Sequence, residues 1–529
     1  MALIERCRGQ SVASALTQRA TSDPERVFIL YDKRRLSFGE VESQADALAA
    51  GLHNLGLEVG DRLALLLPSG PEFVISAMAA SKLGAVVVPL DPRLTVPELH
   101  YMLRHSEAAA AVTVETYGDT EYLEVFEELM PQLPEMQYLV TVGEEDLWYD
   151  DRIFQWEDLL SAGRGRDWPT PEIAPARDPF ALFYTSGTTG KPKAVSLSHA
   201  SLLHAAAGAA DVLGLSPEDR VAGVSDLHHV FGMGPGVLGC LLSGASLVLA
   251  DPLDGARLLD LVEAHRVTVQ YGVPTLFVGA IAEQDERPRD LSSLRLSLVA
   301  GAPTPPELAR EIEARLGAIA LVGYSLTETA SVLSLPRPTD SPTRRHFTVG
   351  YPLTDMEVRI LEGDHALPEE SVGEVAVRGP GVMLGYYRQP RETSAAFQGE
   401  GFFLTGDLGM LDGDGTLHLV GRKKDVIIRA GFNVYPREVE DRILAHPAVL
   451  EVAVVGVRDP VLGETICACV VPVEGAIVSE GEIRAWCRST LSERKVPDLV
   501  RFFDEFPRTG DGKIRRTELV RSLPDPPGA

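Results

Sequence analysis

Twelve consecutive residues, Tyr184 to Val195, restrict the folds open to this chain more than any other stretch. They read YTSGTTGKPKAV and hold five hydroxyl side chains, two glycines and two lysines. Glycine lets backbone N–H groups gather around an anion, hydroxyls add short donors, and Lys191 and Lys193 bring positive charge. The composition describes a phosphate cradle. A Walker loop, GxxxxGK[ST], is excluded by register, because its first glycine would fall on Thr185 and its closing hydroxyl residue on Pro192. The cradle must belong to another kind of nucleotide fold.

The flanking sequence supplies the architecture. From about Ser11 to Val114 amphipathic helices alternate with short apolar strands, as in LSFGEVESQADALAAGLHNLG, RLALLLP and EFVISAMAASKLGAVVVPLD. The alternation resumes after the cradle, with SLVLAD, VTVQYGVPTL and LSLVAGAPT read as strands between helices. Such alternation predicts an α/β body with largely parallel sheets. Between Glu115 and Pro179 the pattern weakens, and with the acidic run GEEDLWYDD it reads as a solvated excursion. Beyond Val358 the strands VRILEG, GEVAVRG and GTLHLVG alternate with glycine turns, and a charge cluster, Arg422 to Asp425, precedes a C-terminal unit of mixed helix and strand.

Charge and composition exclude several classes. A 529-residue chain exceeds a single core. With 49 basic against 76 acidic residues the net charge is −27, which repels nucleic acid and anionic membrane surfaces. Five scattered cysteines without CxxC pairs support neither a disulfide framework nor a zinc site, and point to a reducing cytoplasm. The N-terminal MALIERCRGQ lacks the apolar core of a signal peptide. The uncharged run Phe231 to Ala250 carries five glycines and a proline, so it reads as buried helix and strand rather than a membrane span. Gly234-Pro235-Gly236-Val237-Leu238-Gly239 spells GxGxxG within that run, without the strand-turn-helix setting of a dinucleotide site.

Four further segments carry chemistry. Gly301, Ala302 and Pro303 close a strand, where α/β sheets present ligand sites. GYSLTETA, starting at Gly323, offers the ring of Tyr324, the hydroxyl of Thr327 and the Glu328 carboxylate, a hard ligand suited to magnesium on phosphates. TGD supplies Asp407 for sugar hydroxyls, and PRTGDGKIRR sets Lys513 on a glycine-flanked tip. Taken singly, Glu328 also fits a solvated helix carboxylate, Asp407 a turn former and Lys513 a surface lysine.

In this order the segments resemble the adenylate-forming family that includes acyl-CoA synthetases, firefly luciferase and the adenylation domains of peptide synthetases. The resemblance runs from about Ser11 to Arg516 and rests on YTSGTTGKPK, YSLTETA, TGD, GRKKD with GFNVYPREVE, and PRTGDGKI. It implies an α/β fold: a large multi-sheet N-terminal body, residues 1–421, joined by a hinge near 422–425 to a smaller α+β C-terminal cap, residues 426–529. It implies that Thr185, Ser186, Gly187, Thr188, Thr189, Gly190 and Lys191 hold the phosphates of ATP. Gly301, Ala302, Pro303, Gly323 and Tyr324 would frame the adenine, and Asp407 and Arg422 would bind the ribose. Lys513, Glu328, Thr327 and His229 form the implied catalytic set, with Glu328 the ligand to Mg2+.

The implied reaction is activation of a carboxylic acid, a medium- or long-chain fatty acid first, as an acyl-adenylate with release of pyrophosphate, followed by transfer to coenzyme A. An acyl-AMP ligase loading a carrier protein, an aryl or dicarboxylic acid ligase, and a nucleotide-binding regulatory protein on an inactive ligase scaffold are the alternatives. The run Asp226-Leu227-His228-His229-Val230-Phe231-Gly232 resembles the family's acyl-gate segment, with His229 in place. Asp226 and His228 stand where the family has proline and an aromatic residue, and they equally fit a helix-start aspartate beside a satisfied histidine. Ala194 stands where the family commonly has glycine, a change expected to be tolerated.

Overall fold

A computed structural model describes residues 2–143, 151–185, 191–223, 226–459, 462–508 and 514–523. The chain forms two compact units, Met1–Thr304 with Leu308–Glu357 and Arg378–Phe397, and Pro305–Glu307 with Val358–Val377 and Gln398–Ala529. Compactness thus groups the strands that follow Val358 with the C-terminal residues.

The first unit is built on two sheets with parallel cores. The seven-stranded sheet runs Ile319–Val322, Leu296–Val299, Val269–Gly272, Arg220–Ala222, Ser246–Leu249, Val27–Tyr31, Arg34–Ser37, and only its last pair is antiparallel. The eight-stranded sheet runs Gly385–Tyr386, Lys193–Ser198, Pro179–Thr185, Val86–Pro89, Arg62–Leu66, Ala108–Val114, Tyr138–Val142, Ile153–Gln155. Its first two pairings are antiparallel and the rest parallel. Val86–Pro89 is buried at every position, which is why it reads as an unbroken apolar run rather than an alternating one. The helix Pro71–Leu83 is buried throughout except at Glu72, so it lies inside the unit.

Two readings change. Pro274 opens the helix Pro274–Glu286, so VTVQYGVPTL is a strand only to Gly272; proline suits a first helical turn and cannot serve a central strand. The weakly patterned stretch after Glu115 is folded: helix Tyr122–Leu129, strands Tyr138–Val142 and Ile153–Gln155, and helix Trp156–Gly163 complete the eight-stranded sheet and its cover. Most of the acidic run, residues 144–150, lies outside the described residues. Phe231 to Ala250 is buried as expected, as a π-helical segment Gly232–Leu238, a helix Gly239–Ser243 and the strand Ser246–Leu249. Among the described residues no helix is long and apolar enough to cross a membrane.

In the second unit the strands Gly373–Arg378, Phe402–Leu411 and Leu417–Arg422 pair antiparallel. The C-terminal part centres on the antiparallel pair Val449–Asp459 and Gly463–Pro472; the free edge of Gly463–Pro472 is extended by Leu499–Phe502 along one stretch and by the hairpin Ile427–Arg429/Phe432–Val434 at its start. Ile466, Ala468 and Val470 pack with Val439, Ile443 and Ile483 of the covering helices, whereas Cys467, Cys469 and Val471 pack with Phe506 and Leu519. Burial on both faces explains the continuous ICACVV run. All five cysteines are buried and free of disulfides.

The helices Phe38–Asn54 and Trp156–Gly163 approach closely through glycine, and a methyl added at Gly163 would stand 1.9 Å from the Ala47 carbonyl oxygen. Gly163→Ala is expected to lower stability by about 1–3 kcal/mol through overpacking against rigid backbone. Urea unfolding checks this, and an unchanged midpoint would show that the two helices do not meet at Gly163.

Candidate active site

The strand Pro179–Thr185 enters the cradle and Lys193–Ser198 leaves it, with Thr185 opposite Lys193. Ser186, Gly187, Thr188, Thr189 and Gly190 lie outside the described residues, as does Lys513. The two stems, and what holds them, are described. On one flank the Lys191 ammonium lies 5.9 Å from the centre of the Tyr101 ring, and the Tyr101 hydroxyl donates to the Pro192 carbonyl at 3.2 Å. The Tyr184 hydroxyl donates to the Met102 carbonyl at 3.0 Å and lies 2.9 Å from His105 Nδ1. Burial drives the Tyr184 phenol far above its ordinary value and lowers the His105 imidazole, with Arg388 adding to the latter. Both rings therefore remain uncharged and form a fixed wall.

The other flank brings in residues distant in sequence. Gly385–Tyr386 pairs with the outgoing strand so that Tyr386 lies opposite Val195, and the Tyr387 N–H donates to the Ala194 carbonyl at 2.8 Å. The Ala194 methyl is absorbed in the core of the eight-stranded sheet. Lys193 stands 4.7 Å from the Tyr386 ring centre, and the Tyr386 hydroxyl donates to Glu328 Oε1 at 2.9 Å. Burial first, and then the Glu328 charge, raise the Tyr386 phenol far above its usual range, so it stays a donor. Glu328 sits in the short turn Thr327–Thr329, and its carbonyl accepts from the Met383 N–H at 2.9 Å. Just beyond, Ala330 and Ser331 both have positive φ, 55° and 96°, conformations that cost about 1–3 kcal/mol each and reverse the chain.

Among the described residues no group of three or more His, Cys, Asp or Glu could hold a metal by itself. A half-buried carboxylate beside a phosphate cradle nevertheless fits magnesium, which is bound by one or two carboxylates together with substrate phosphates and waters.

The parallel strands place the other predicted residues on one sheet edge. Gly301, Ala302 and Pro303 follow Leu296–Val299, and Gly323 follows Ile319–Val322, where its N–H donates to the Val299 carbonyl at 2.9 Å. Gly301 has φ +86°, a left-handed conformation that favours glycine. Tyr324 is buried, opposite Ser334, and Thr327 is half-buried.

Asp226 to His229 follow Arg220–Ala222 on the same edge. His229 accepts through its carbonyl from the Gly232 and Met233 N–H groups, at 3.0 and 3.1 Å. His228 Nε2 lies 3.3 Å from Asp91 and 3.7 Å from Asp226, and Arg93 bonds both carboxylates. Burial would raise the Asp91 carboxyl, but hydrogen bonds from His228 and Arg93 outweigh it and hold Asp91 well below the ordinary carboxylate range. Of the two departures from the gate pattern, Asp226 thus joins an ion-pair network with Arg93 and Asp91 in the loop after Val86–Pro89, and His228 packs beside it.

In the second unit Asp407 and Arg422 lie opposite one another on neighbouring strands and form an ion pair of 3.2 Å. Asp407 is buried and Arg422 exposed, with the Asp407 N–H donating to Thr405 Oγ1 at 3.1 Å.

Sequence reasoning missed Tyr386, Asp91 and Arg93. Tyr386 becomes visible only through strand register, and Asp91 and Arg93 only through a contact across more than a hundred residues of chain.

The AMP-binding enzyme family matches residues 16–387, and the AMP-binding enzyme C-terminal domain matches residues 438–513. The chain is 34% identical to a feruloyl-CoA synthase of Amycolatopsis sp, covering 97% of this chain and 99% of that protein. It is 32% identical to the human mitochondrial medium-chain acyl-CoA ligase ACSF2, covering 97% of this chain and 88% of that protein. The crystal structure of ATP-bound MatB from Rhodopseudomonas palustris superposes with a TM-score of 0.86 at 29% identity, covering 97% of this chain and 99% of that one.

Removing the donor to Glu328 leaves a half-buried carboxylate without its anchor. Tyr386→Phe is expected to lower kcat/KM for ATP about 10–100-fold, the scale of a hydrogen bond to a charged group. The measurement is ATP- and acid-dependent pyrophosphate release, and an unchanged value would remove the Tyr386–Glu328 bond from the site.

Proposed function

The chain belongs to the AMP-binding enzyme family and is an acid–thiol ligase of the acyl-CoA synthetase type, and we propose that it converts a medium- or long-chain fatty acid to its coenzyme A thioester. The observation that carries this reading is the convergence of both cradle stems with Lys193, Tyr386 and Glu328. Such a site suits attack of a carboxylate on the α-phosphate of ATP. One carboxylate oxygen forms a bond to phosphorus as pyrophosphate leaves; the thiol then attacks the acyl carbon and AMP departs. Attack of one anion on another needs alignment and charge neutralisation more than covalent assistance.

Each residue has a part in this scheme. The cradle from Thr185 to Lys191 binds the phosphates through N–H groups, hydroxyls and the Lys191 ammonium. Glu328, oriented by Tyr386 and aided by Thr327, would hold magnesium, which when bound supplies positive charge at the phosphate oxygens. Gly301, Ala302, Pro303, Gly323 and Tyr324 frame the adenine, and Asp407 and Arg422 bind the ribose. Lys513 neutralises charge at the carboxylate and α-phosphate, and turning of the cap about residues 422–425 withdraws it before the thiol reacts. His229 flanks the acyl entrance.

An aliphatic acid is supported by the likeness to the medium-chain ligase and by the buried, apolar segment Gly232–Leu238. That segment runs close to the Glu328 turn, since a methyl at Gly234 would lie 3.3 Å from the Ala330 carbonyl oxygen. The likeness to a feruloyl-CoA synthase favours an aryl acid as the second reading. Coenzyme A is the proposed acceptor ahead of a carrier protein, and the cytoplasm the proposed compartment, which free, buried cysteines support.

A panel of acids scored by pyrophosphate release tests the substrate. AMP and pyrophosphate are expected only with magnesium and a suitable acid, with fatty acids of medium or long chain ahead of aryl acids; faster turnover of cinnamic-type acids would transfer the assignment to the second reading, and ADP as product would end both. Lys513→Ala tests the division of labour. Loss of an oriented charge at a developing anion is worth about 10²–10³ in rate. Adenylation should fall by that factor, while thioester formation from presynthesised acyl-adenylate should proceed near normally; equal loss in both halves would contradict the proposed withdrawal of Lys513.

A further inference from the structure

Loops from both sheets of the first unit meet on the edge that carries the cradle. Val86–Pro89 runs parallel to Pro179–Thr185, so the loop after it leaves the eight-stranded sheet on the same edge as the cradle. Asp226 to His229 follow Arg220–Ala222 of the seven-stranded sheet. Arg93 of the first loop joins the two. Its Nε donates to Asp91 Oδ1 at 2.8 Å, and its Nη2 donates both to Asp91 Oδ2 at 3.1 Å and to Asp226 Oδ2. The Arg93 N–H also donates to Asp91 Oδ1, at 2.8 Å. A planar guanidinium can serve two carboxylates in this way, whereas an ammonium is a point charge without the fork.

A second tie acts on the neighbouring backbone. The Leu227 N–H donates to Ser69 Oγ at 3.1 Å, and the Ser69 N–H donates to Asp251 at 2.7 Å. The Tyr117 hydroxyl donates to the same carboxylate at 2.8 Å. Burial first, and then Asp251, raise the Tyr117 phenol far above its ordinary value, so it stays a donor. The two ties differ in exposure: Leu227 is fully buried, whereas the Arg93 side chain is 51% exposed. The backbone tie belongs to the core, and the charged tie can be cut without opening it. What the charged tie holds is the start of the turn that carries His229. The His229 N–H donates to the Asp226 carbonyl at 2.9 Å, and the His229 ring lies against that of His228, with centres 4.6 Å apart.

We propose that Arg93 is a positioning residue for activation of the acid: through Asp226 it fixes the His229 segment against the loop beside the cradle, and so sets the substrate carboxylate relative to the α-phosphate. The inference rests on the reading of His229 as flanking the acyl entrance. The stems of the cradle have their own strand pairing, so loss of the Arg93 tie falls on the acid rather than on ATP.

The experiment measures KM for octanoate and KM for ATP, by pyrophosphate release, in Arg93→Met, Arg93→Lys, Asp226→Asn and the double variant Arg93→Met/Asp226→Asn. KM does not depend on the fraction of protein that is folded, so partial misfolding does not move it. Arg93→Met should raise KM for octanoate about 10-fold, the lower end for hydrogen bonds to charged groups because the site is half exposed, and should change KM for ATP by less than about 2-fold. Arg93→Lys should regain part of that loss. Asp226→Asn should raise KM for octanoate several-fold, and the double variant should be no worse than Arg93→Met, since both changes cut the same bond. If the acid panel favours an aryl acid, that acid replaces octanoate with the same expectations. Equal rises for acid and ATP, no rise for the acid, or a double variant whose effect is the product of the single ones overturns the positioning role and leaves the ligase reading intact. Absence of acid-dependent pyrophosphate release from the unaltered enzyme overturns both together.

Discussion

The site depends on the antiparallel pairing of Lys193–Ser198 with the two-residue edge strand Gly385–Tyr386. That pairing sets Tyr386 against Lys193 and brings its hydroxyl to Glu328. A slip of one residue would turn Tyr386 to the opposite face, because side chains alternate along a strand. Both the carboxylate and the lysine would lose their support at once. The two stems of the cradle are therefore held by their own strand pairing and by a neighbour nearly two hundred residues further along the chain.

Electrostatics follows the same economy. A chain of net charge −27 that handles anionic substrates must keep selected cations unneutralised. Lys191 lies against Tyr101 and Lys193 against Tyr386. An aromatic face orients a cation while leaving its charge available, whereas a carboxylate orients it and cancels it. Arg93 illustrates the second case. Held by Asp91 and Asp226, it serves to tie the loop after Val86–Pro89 to the segment of His228 and His229.

Much of the fold was legible because burial on both faces writes itself as apolar runs, as in RLALLLP and ICACVV, and because helix and strand alternate regularly around the cradle. The reading failed between Glu115 and Pro179. Ile153–Gln155 spans three residues, too few to show a period, and the strands Tyr138–Val142 and Ile153–Gln155 gain their place only by joining a sheet already formed. VTVQYGVPTL was overextended because apolar residues run on past Gly272, although Pro274 marks the change to helix. Of the candidate site, only the positions of the local motifs were legible: Gly301 and Gly323 follow strands, and Glu328 lies in the turn after Tyr324–Leu326. Tyr386, Asp91 and Arg93 were not, since their meaning lies in pairing and in contacts that no local pattern encodes. His228 is intermediate: its oddity was visible, and its explanation needed Asp91.

The central claim is that the carboxylate of the substrate acid becomes bonded to the α-phosphorus of ATP before the thiol reacts. Transfer of label tests this most directly. With an acid labelled with ¹⁸O in both carboxylate oxygens, mass spectrometry of the AMP formed in a complete reaction should find one ¹⁸O atom in its phosphate for each thioester made. AMP free of label, or label recovered in inorganic phosphate or pyrophosphate, would contradict the account.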